Sequence, residues 1–498
     1  MKGDNQIHKN NWLKSIFVHG KWYIFSSFFT KGINILLIPV YTKYLSPSDY
    51  GILNTLITIS ILMPIFISLY LDSAFGRFFH EYKNDFSQLQ SLFSTIFKFV
   101  SIWGLILSLI FIFLSQFWIK DLLEVPFFPY ALLTFITPLF QQLGNLGAIF
   151  LKQSLQAKQT TIVESSSIII NTIVTLILLI PFQFGVLARI IGGLAGALFI
   201  FFFYFYYFRK EQLLVNKFDK NILKVCLKYS LPLLPMAASG WINSFSDRIV
   251  LAKFSSLQDV GLFSLAYQAA MILYVIMDAI TQVQSPLSMS GLVSEKEKTL
   301  KKLGVFITML FIIMSIMHIF LTFFAKEIIL LFANKRFFHA YKVIGIIGTI
   351  YVFGALQRPI ADIISFHKKT YILSSGVFIS ATINLILNIL FVPKYGYFAS
   401  AFVTCISTLF YVLWLYYWVF KFEKIYLEIY KNAIVFLFYV SILSIYYIFF
   451  YDKVGVKIFI IKSLVFILTT IVFYIFSIKW FAKEKEYNPI NTIKKILR

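Results

Sequence analysis

Apolar residues fall along this chain in long blocks divided by short polar connections. Blocks of about 20 residues, the length a helix needs to cross a bilayer core, lie near 22–40, 52–71, 92–114, 127–150, 161–180 and 184–208. A second set lies near 231–252, 260–285, 303–325, 340–365, 371–392 and 397–420, followed by two more near 431–451 and 458–480. The pattern predicts about fourteen membrane-spanning helices.

Adding 210 to the first six blocks gives close to the second six, and polar residues keep the same offset. YTKYLSPSDYGILN (41–54) returns as LAKFSSLQDVGLFS (251–264). Lys43, Ser46, Asp49 and Gly51 thereby fall on Lys253, Ser256, Asp259 and Gly261, and Tyr44 on Phe254. Lys158, Thr160 and Thr172 fall on Lys368, Thr370 and Thr382. Near 182–188 the offset slips by one, laying Gly185 and Ala188 on Gly396 and Ala399. A repeat this long sets the architecture. It predicts an all-α integral membrane protein of two pseudo-symmetric six-helix lobes plus two C-terminal helices without an earlier counterpart. The expected divisions are an N-lobe (1–210), a basic cytoplasmic linker (211–228), a C-lobe (229–422), and 423–498 carrying the last two helices and a basic tail.

Composition agrees, with 59% hydrophobic and 13% charged residues against roughly one quarter charged in soluble domains. The net charge of +23 raises nucleic acid as a partner, but the placement of the charge argues otherwise. With the N-terminus inside, 29 of the 45 Lys and Arg fall in cytoplasmic segments and 11 in external ones. This is the positive-inside bias, and it places both termini in the cytoplasm. The clusters Arg209 to Lys228 and Lys479 to Arg498 are expected to meet anionic lipid headgroups, not nucleic acid. The first 21 residues lack the short apolar core of a signal peptide, so the first helix is expected to be retained. Cys226 and Cys405 supply neither a disulfide framework nor a metal-binding spacing. No P-loop, zinc spacing or pair of external carboxylates stands out, and the loops are too short for a catalytic domain. The chain is therefore expected not to be an enzyme and to need no cofactor.

A charge within a span costs roughly 2.5–3.5 kcal/mol on insertion scales, so each is a functional candidate. The cations are Lys31, Lys98, Arg189, Arg248 and Arg358; the anions are Asp72, Asp247, Asp278 and Asp362. Ser27, Lys31 and Asn34 are spaced i, i+4, i+7 and share one helix face. Lys31 lies near mid-span, where snorkelling to the interface is strained. At the repeat offset, Asn54, Thr58, Ser68 and Asp72 match Ser264, Gln268, Asp278 and Gln282, which suggests paired cavity walls. Asp247 and Arg248 are adjacent, so each needs another partner. Arg358 and Asp362 are spaced to neutralise one another, and Pro359 is expected to bend their helix. Lys98 and Arg189 stand near helix ends and can snorkel, with cavity lining the alternative for Arg189. His318 reads as a packed histidine.

The segments PVYTKYLSPSDYGILN (39–54), GRFFHEYK (76–83), YSLPLLPMAASGWINSFSDRIVLAKFSSLQDVGLFSLAYQ (229–268) and LNILFVPKYGYFASAFVTCIS (387–407) carry a family resemblance. The chain resembles the Wzx-type polysaccharide flippases of the MOP superfamily, which also holds MATE-type multidrug exporters and the lipid II flippase. The similarity spans the first twelve helices, and the two added helices also fit. It implies two six-helix lobes around a central cavity that opens alternately to either side. The implied cargo is an undecaprenyl-diphosphate-linked oligosaccharide repeat unit, moved outward for O-antigen, capsule or exopolysaccharide synthesis. Family members are thought to hold such cargo in a cationic lumen. Lys31 and Arg248 best fit that role here, with Arg358 next, and Asn34 and Arg189 complete the candidate set. Asp247-Arg248 matches a frequent Asp-Arg pair of that helix. Asp247, Asp278, Asp72 and Asp362 are the candidates for H+ or Na+ coupling. Implied partners are the lipid-linked oligosaccharide, membrane lipids and other polysaccharide assembly proteins, at a bacterial or archaeal plasma membrane. The rival readings are an ion-coupled multidrug exporter of the same fold, a polysaccharide polymerase or ligase, and a non-transporting scaffold.

Overall fold

The structure, a computed structural model, describes residues 22, 29, 32–423, 428–451, 453 and 455–481. Among the described residues the regular structure is helical throughout. The first half contains α1 (Ile38–Tyr44), α2 (Pro47–Ser68), α3 (Leu71–Tyr82), α4 (Phe86–Ser115), α5 (Ile119–Leu123), α6 (Phe127–Gln153), α7 (Ala157–Leu179) and α8 (Val186–Lys210). Next come α9 (Lys220–Ser230), α10 (Leu234–Phe254), α11 (Leu257–Ser294), α12 (Lys296–Phe323) and α13 (Ala325–Phe332). The chain closes with α14 (Tyr341–Phe366), α15 (Thr370–Phe422), α16 (Ile429–Phe449) and α17 (Val456–Phe481).

Eleven described segments are long and apolar enough to cross a membrane. One is the 53-residue α15, twice the length of a span, which leaves helical geometry at Gly396. Taking α15 as two spans and adding the 27-residue α6 accounts for every run of the sequence pattern after the first. That first run lies mostly outside the described residues. Pro359, expected to bend its helix, sits inside α14, which is unbroken from Tyr341 to Phe366.

The repeated residues have identifiable work. Ser46 caps α2: its hydroxyl accepts from the Asp49 amide at 3.1 Å, while the Asp49 carboxylate accepts from the Ser46 amide at 3.0 Å. This reciprocal box satisfies amides that a helix start leaves without intrahelical partners. In the second copy the Ser256 hydroxyl accepts from the Asp259 amide at 3.0 Å. Two residues further on, the matched glycines meet. A Cβ on Gly51 would lie 1.8 Å from the Leu257 carbonyl oxygen, and one on Gly261 would lie 1.9 Å from that of Pro47. Pro47 and Leu257 are themselves matched at the repeat offset. The contact is therefore reciprocal, as at a two-fold axis, and small residues let the backbones close to this range. Gly185 and Gly396, matched after the slip, share φ 55°, with ψ −130° and −141°. A side chain disfavours that backbone conformation.

By packing, the chain forms two units: residues 1–264 with 385–397, and 265–384 with 398–498. The first is held by a run of edge-on and tilted rings. Phe93 sits 5.6 Å from Phe75 and 4.3 Å from Phe208, and Phe150 sits 5.6 Å from Phe79. Lipid tails are as apolar as these side chains, so close packing rather than water exclusion supplies the cohesion. The segment read as a linker is fastened to α4: the Ser94 hydroxyl bonds the Leu213 carbonyl and the Val215 amide, each at 2.9 Å. Asp219 caps α9 by accepting from the amides of Asn221 and Ile222.

In the second unit, α16 and α17 pack on α12 through Tyr439, Tyr446 and Phe473. The Tyr439 hydroxyl lies 2.8 Å from Nδ1 of His318, whose Nε2 reaches the Gly345 carbonyl at 2.6 Å. A carbonyl only accepts, so Nε2 carries the proton and Nδ1 accepts from the tyrosine. His318 is a satisfied, packed residue. Lys462 of α17 is fully buried and donates to the Glu327 carboxylate at 2.8 Å and the Phe323 carbonyl at 2.9 Å.

Where α12 begins and α14 and α15 end, Glu423 accepts from Lys296 at 2.7 Å and His367 at 2.6 Å. Burial alone would raise the Glu423 carboxyl's pKa, but these two hydrogen bonds and charges outweigh it and hold it below its ordinary value. A depressed carboxylate contributes stability above its unfolded pKa, and loses it as pH falls through the folded one. Glu423→Gln is expected to cost about 1 kcal/mol at neutral pH. It should also flatten the drop in Tm on the acid side of pH 5; an unchanged acid limb in a pH series of melts would refute the link.

Candidate functional site

The sequence candidates separate into distinct neighbourhoods. Lys31 lies outside the described residues, while Asn34 is described and exposed. In the first unit, Arg248 is buried, donates to the Ser244 carbonyl at 2.7 Å, and stands 5.7 and 5.3 Å from the ring centres of Phe245 and Phe263. Asp247 is fully buried and accepts from Asn388 Nδ2 at 2.8 Å. The adjacent pair thus points to different partners, as a helix's 100° step requires.

In the second unit, Arg358 makes its ion pair with Asp278, 3.2 Å away and 80 residues earlier, and reaches the Tyr274 hydroxyl at 3.4 Å. The other Asp278 oxygen accepts from Gln282 at 2.8 Å. Asp362 accepts instead from Ser285 at 2.9 Å and Gln284 at 3.4 Å. Tertiary packing thus gives Arg358 an ion-pair partner on another helix, where the sequence spacing had suggested Asp362 one turn away. Outside the spans, Asp72 follows the left-handed Leu69 and Tyr70 and accepts from Ser68 at 3.2 Å. Burial raises its carboxyl pKa, against hydrogen bonds from the backbone and Ser68. Lys98 reaches Asn216 Oδ1 at 2.8 Å and is not part of these clusters.

Arg189 belongs to a site that sequence reading touched only at this residue. Helices α2, α6, α7 and α8 of the first unit line an open-sided cavity of about 720 Å³, within the range that holds a small ligand. From α6, Thr134, Thr137, Gln141 and Asn145 line it; from α7, Glu164, Ser167 and Asn171 do so. The α6 set is spaced i, i+3, i+7, i+11 and the α7 set i, i+3, i+7, so each is a single helix face. That periodicity was legible in the sequence, but a stripe of uncharged amides and hydroxyls stands out less than a lone ion. Arg189 enters from the start of α8, donates to Asn171 Oδ1, and lies 5.8 Å from the Tyr41 ring centre. Glu164 is paired with Lys152 at 2.8 Å. Among the described residues there is no cluster of three or more His, Cys, Asp or Glu that could hold a metal ion.

A family model described as "Polysaccharide biosynthesis protein" matches residues 19–292. No curated protein sequence matches the chain. Among solved structures, the lipid II flippase MurJ in its inward closed conformation is similar, with 19% identity and a TM-score of 0.72 over 94% of this chain and 99% of that one. An inward-facing MATE family multidrug resistance transporter of the MOP superfamily gives 14% identity and a TM-score of 0.63, covering 80% and 95%. A MOP superfamily transporter from Pyrococcus furiosus, described as having a binding pocket of reverse polarity, gives 13% identity and a TM-score of 0.55, covering 81% and 96%. At these identities the likeness establishes a shared fold.

Proposed function

The chain belongs to the polysaccharide biosynthesis protein family, and from that premise we propose that it is a flippase for undecaprenyl-diphosphate-linked oligosaccharide repeat units, carrying them from the cytoplasmic to the outer leaflet by alternating access. The family match over residues 19–292 carries the reading. The MurJ-like fold supports it, as do cations in or at the ends of apolar spans: Arg189, Arg248 and Arg358. A guanidinium grips phosphate through two parallel N–H bonds, so Arg248 and Arg358 suit a diphosphate, with Arg189 a further cation for the cargo. Arg358 would exchange Asp278 for a cargo phosphate oxygen during the cycle. Moving negative charge outward across an inside-negative membrane is favoured by about 2.3 kcal/mol per charge per 100 mV. Two charges would gain roughly 4–5 kcal/mol per 100 mV on the same basis. H+ or Na+ coupling through Asp278, Asp247, Asp72 or Asp362 remains part of the proposal, as do the surface-polysaccharide role and other assembly proteins as partners.

Deleting the gene is expected to remove surface polysaccharide and to accumulate its lipid-linked repeat unit on the cytoplasmic side, with complementation restoring both. Normal surface glycan together with new sensitivity to cationic drugs would replace this reading with multidrug export.

A further inference from the structure

The cavity lined by α2, α6, α7 and α8 gathers a cation and several amides and hydroxyls in one place. Thr134 Oγ1, Gln142 Nε2 and the Tyr204 hydroxyl belong to residues 2%, 4% and 1% exposed, and these atoms have no hydrogen-bond partner in the structure. All three residues line the cavity. These three atoms are shut off from the open space of the cavity, so the polar groups that a ligand would meet are those of Gln141, Asn145, Asn171 and Arg189. Arg189 adds a cation with no carboxylate partner among the described residues; its contacts are the neutral Asn171 and Tyr41. It stands at the start of α8, where the helix dipole disfavours positive charge.

The second half of the repeat does not carry these features. At the 210 offset, Thr134, Thr137, Gln141 and Asn145 fall on Ile344, Ile347, Tyr351 and Ala355. Ser167 and Asn171 fall on Val377 and Ala381, and Arg189, past the slip, falls on Ser400. The matching helices of the second copy carry their polar side chains elsewhere, at Ser380, Asn384, Thr404 and Ser407, where they bond one another; the amide face open to a cavity belongs to the first copy.

We propose that this cavity is a carbohydrate subsite that takes one acidic sugar of the cargo, with the amide and hydroxyl faces of α6 and α7 bonding its hydroxyls and Arg189 its carboxylate. This rests on the flippase reading for its cargo, though binding itself can be measured without transport. A sugar presents both hydroxyls and an apolar ring face: the amides and hydroxyls of α6 and α7 donate to and accept from the first, while Leu53, Leu56, Ile57 and Ile61 of α2 offer an apolar surface to the second. A site built on such groups discriminates strongly against ligands that leave them unpaired. A bound metal or drug cation would face Arg189, while Glu164 is already engaged by Lys152.

Gly193 supplies a clean probe. It lines the cavity, and a Cβ built on it meets nothing within 4 Å, so Gly193→Leu should fold while filling the space. Full-length protein in nanodiscs is titrated with glucuronate, glucose and inorganic diphosphate, reading the thermal midpoint. Glucuronate should raise the wild-type Tm saturably, and glucose less. The glucuronate response should vanish in Gly193→Leu. In Arg189→Gln its half-saturating concentration should rise about tenfold or more, the loss of one charge-assisted contact. The diphosphate response should survive Gly193→Leu. The proposal is overturned by no glucuronate response in wild type, by one that persists in Gly193→Leu, or by equal responses to glucose and glucuronate. A diphosphate response lost in Gly193→Leu would also overturn it, by assigning the cavity to the phosphates. Failure of the deletion test leaves these titrations interpretable, and the reverse holds too.

Discussion

Gly51→Ala, the addition of one methyl group, is expected to cost about 3 kcal/mol or more and to strip most folded protein from the membrane. Gly261→Ala should do the same. The new carbon at Gly51 would lie 1.8 Å from a backbone oxygen at Leu257, not against the pliable end of a side chain. Relief requires two helix starts to separate, and each is pinned by a serine–aspartate cap. The control is Gly240→Ala in α10, where a Cβ meets nothing within 4 Å. Helix propensity alone would make both changes favourable by up to about 1 kcal/mol, so opposite outcomes isolate the crossing. Fluorescence-detected gel filtration and melting in detergent read the result. A Gly51→Ala protein with wild-type yield and Tm would show that the two backbones do not meet.

The second large effect is expected at the Arg358–Asp278 pair. Arg358→Ala leaves the Asp278 side chain, 12% exposed, facing a membrane interior without its cation. Removing one member of a fully buried pair costs about 3–5 kcal/mol. The Arg358 side chain is 37% exposed, so about 2–3 kcal/mol is expected here, after discounting for screening. Arg358→Ala with Asp278→Asn should recover most of that stability. If Arg358 also handles cargo phosphate, the double variant should still lack surface glycan. Recovery of both fold and glycan in the double variant would reduce the pair to scaffolding. Asp278→Asn alone, with Arg358 intact, should alter the pH or Na+ dependence of transport if this carboxylate couples an ion.

The spans and the duplication were readable because both are written in local or periodic terms: runs of apolar residues, and identities at one offset. The serine, aspartate and glycine of the repeat were visible as matches before the structure gave them roles as caps and a crossing point. Long-range pairing was not readable. Arg358 has an acidic neighbour one turn away, yet its ion pair is with Asp278 because packing sets distances that spacing within one helix cannot. Asp247 likewise meets Asn388, 141 residues later. The cavity escaped for another reason. Ions in apolar runs draw attention by their transfer cost, whereas Gln141, Asn145 and Asn171 each carry a smaller penalty and signal only as a periodic set.

Lys462 bears on how the chain is made. A ribosome delivers α17 after both duplicated halves, and the Lys462 ammonium is neutralised by Glu327, laid down more than a hundred residues before. Threading that segment into lipid alone would expose a bare cation, so its entry is expected to wait for docking onto the end of α12 and α13. The last two helices are then co-inserted with their host, not appended to it. A chain cut after residue 451 would strand Glu327 and invite quality-control proteolysis, even though everything it lacks lies beyond the duplicated halves.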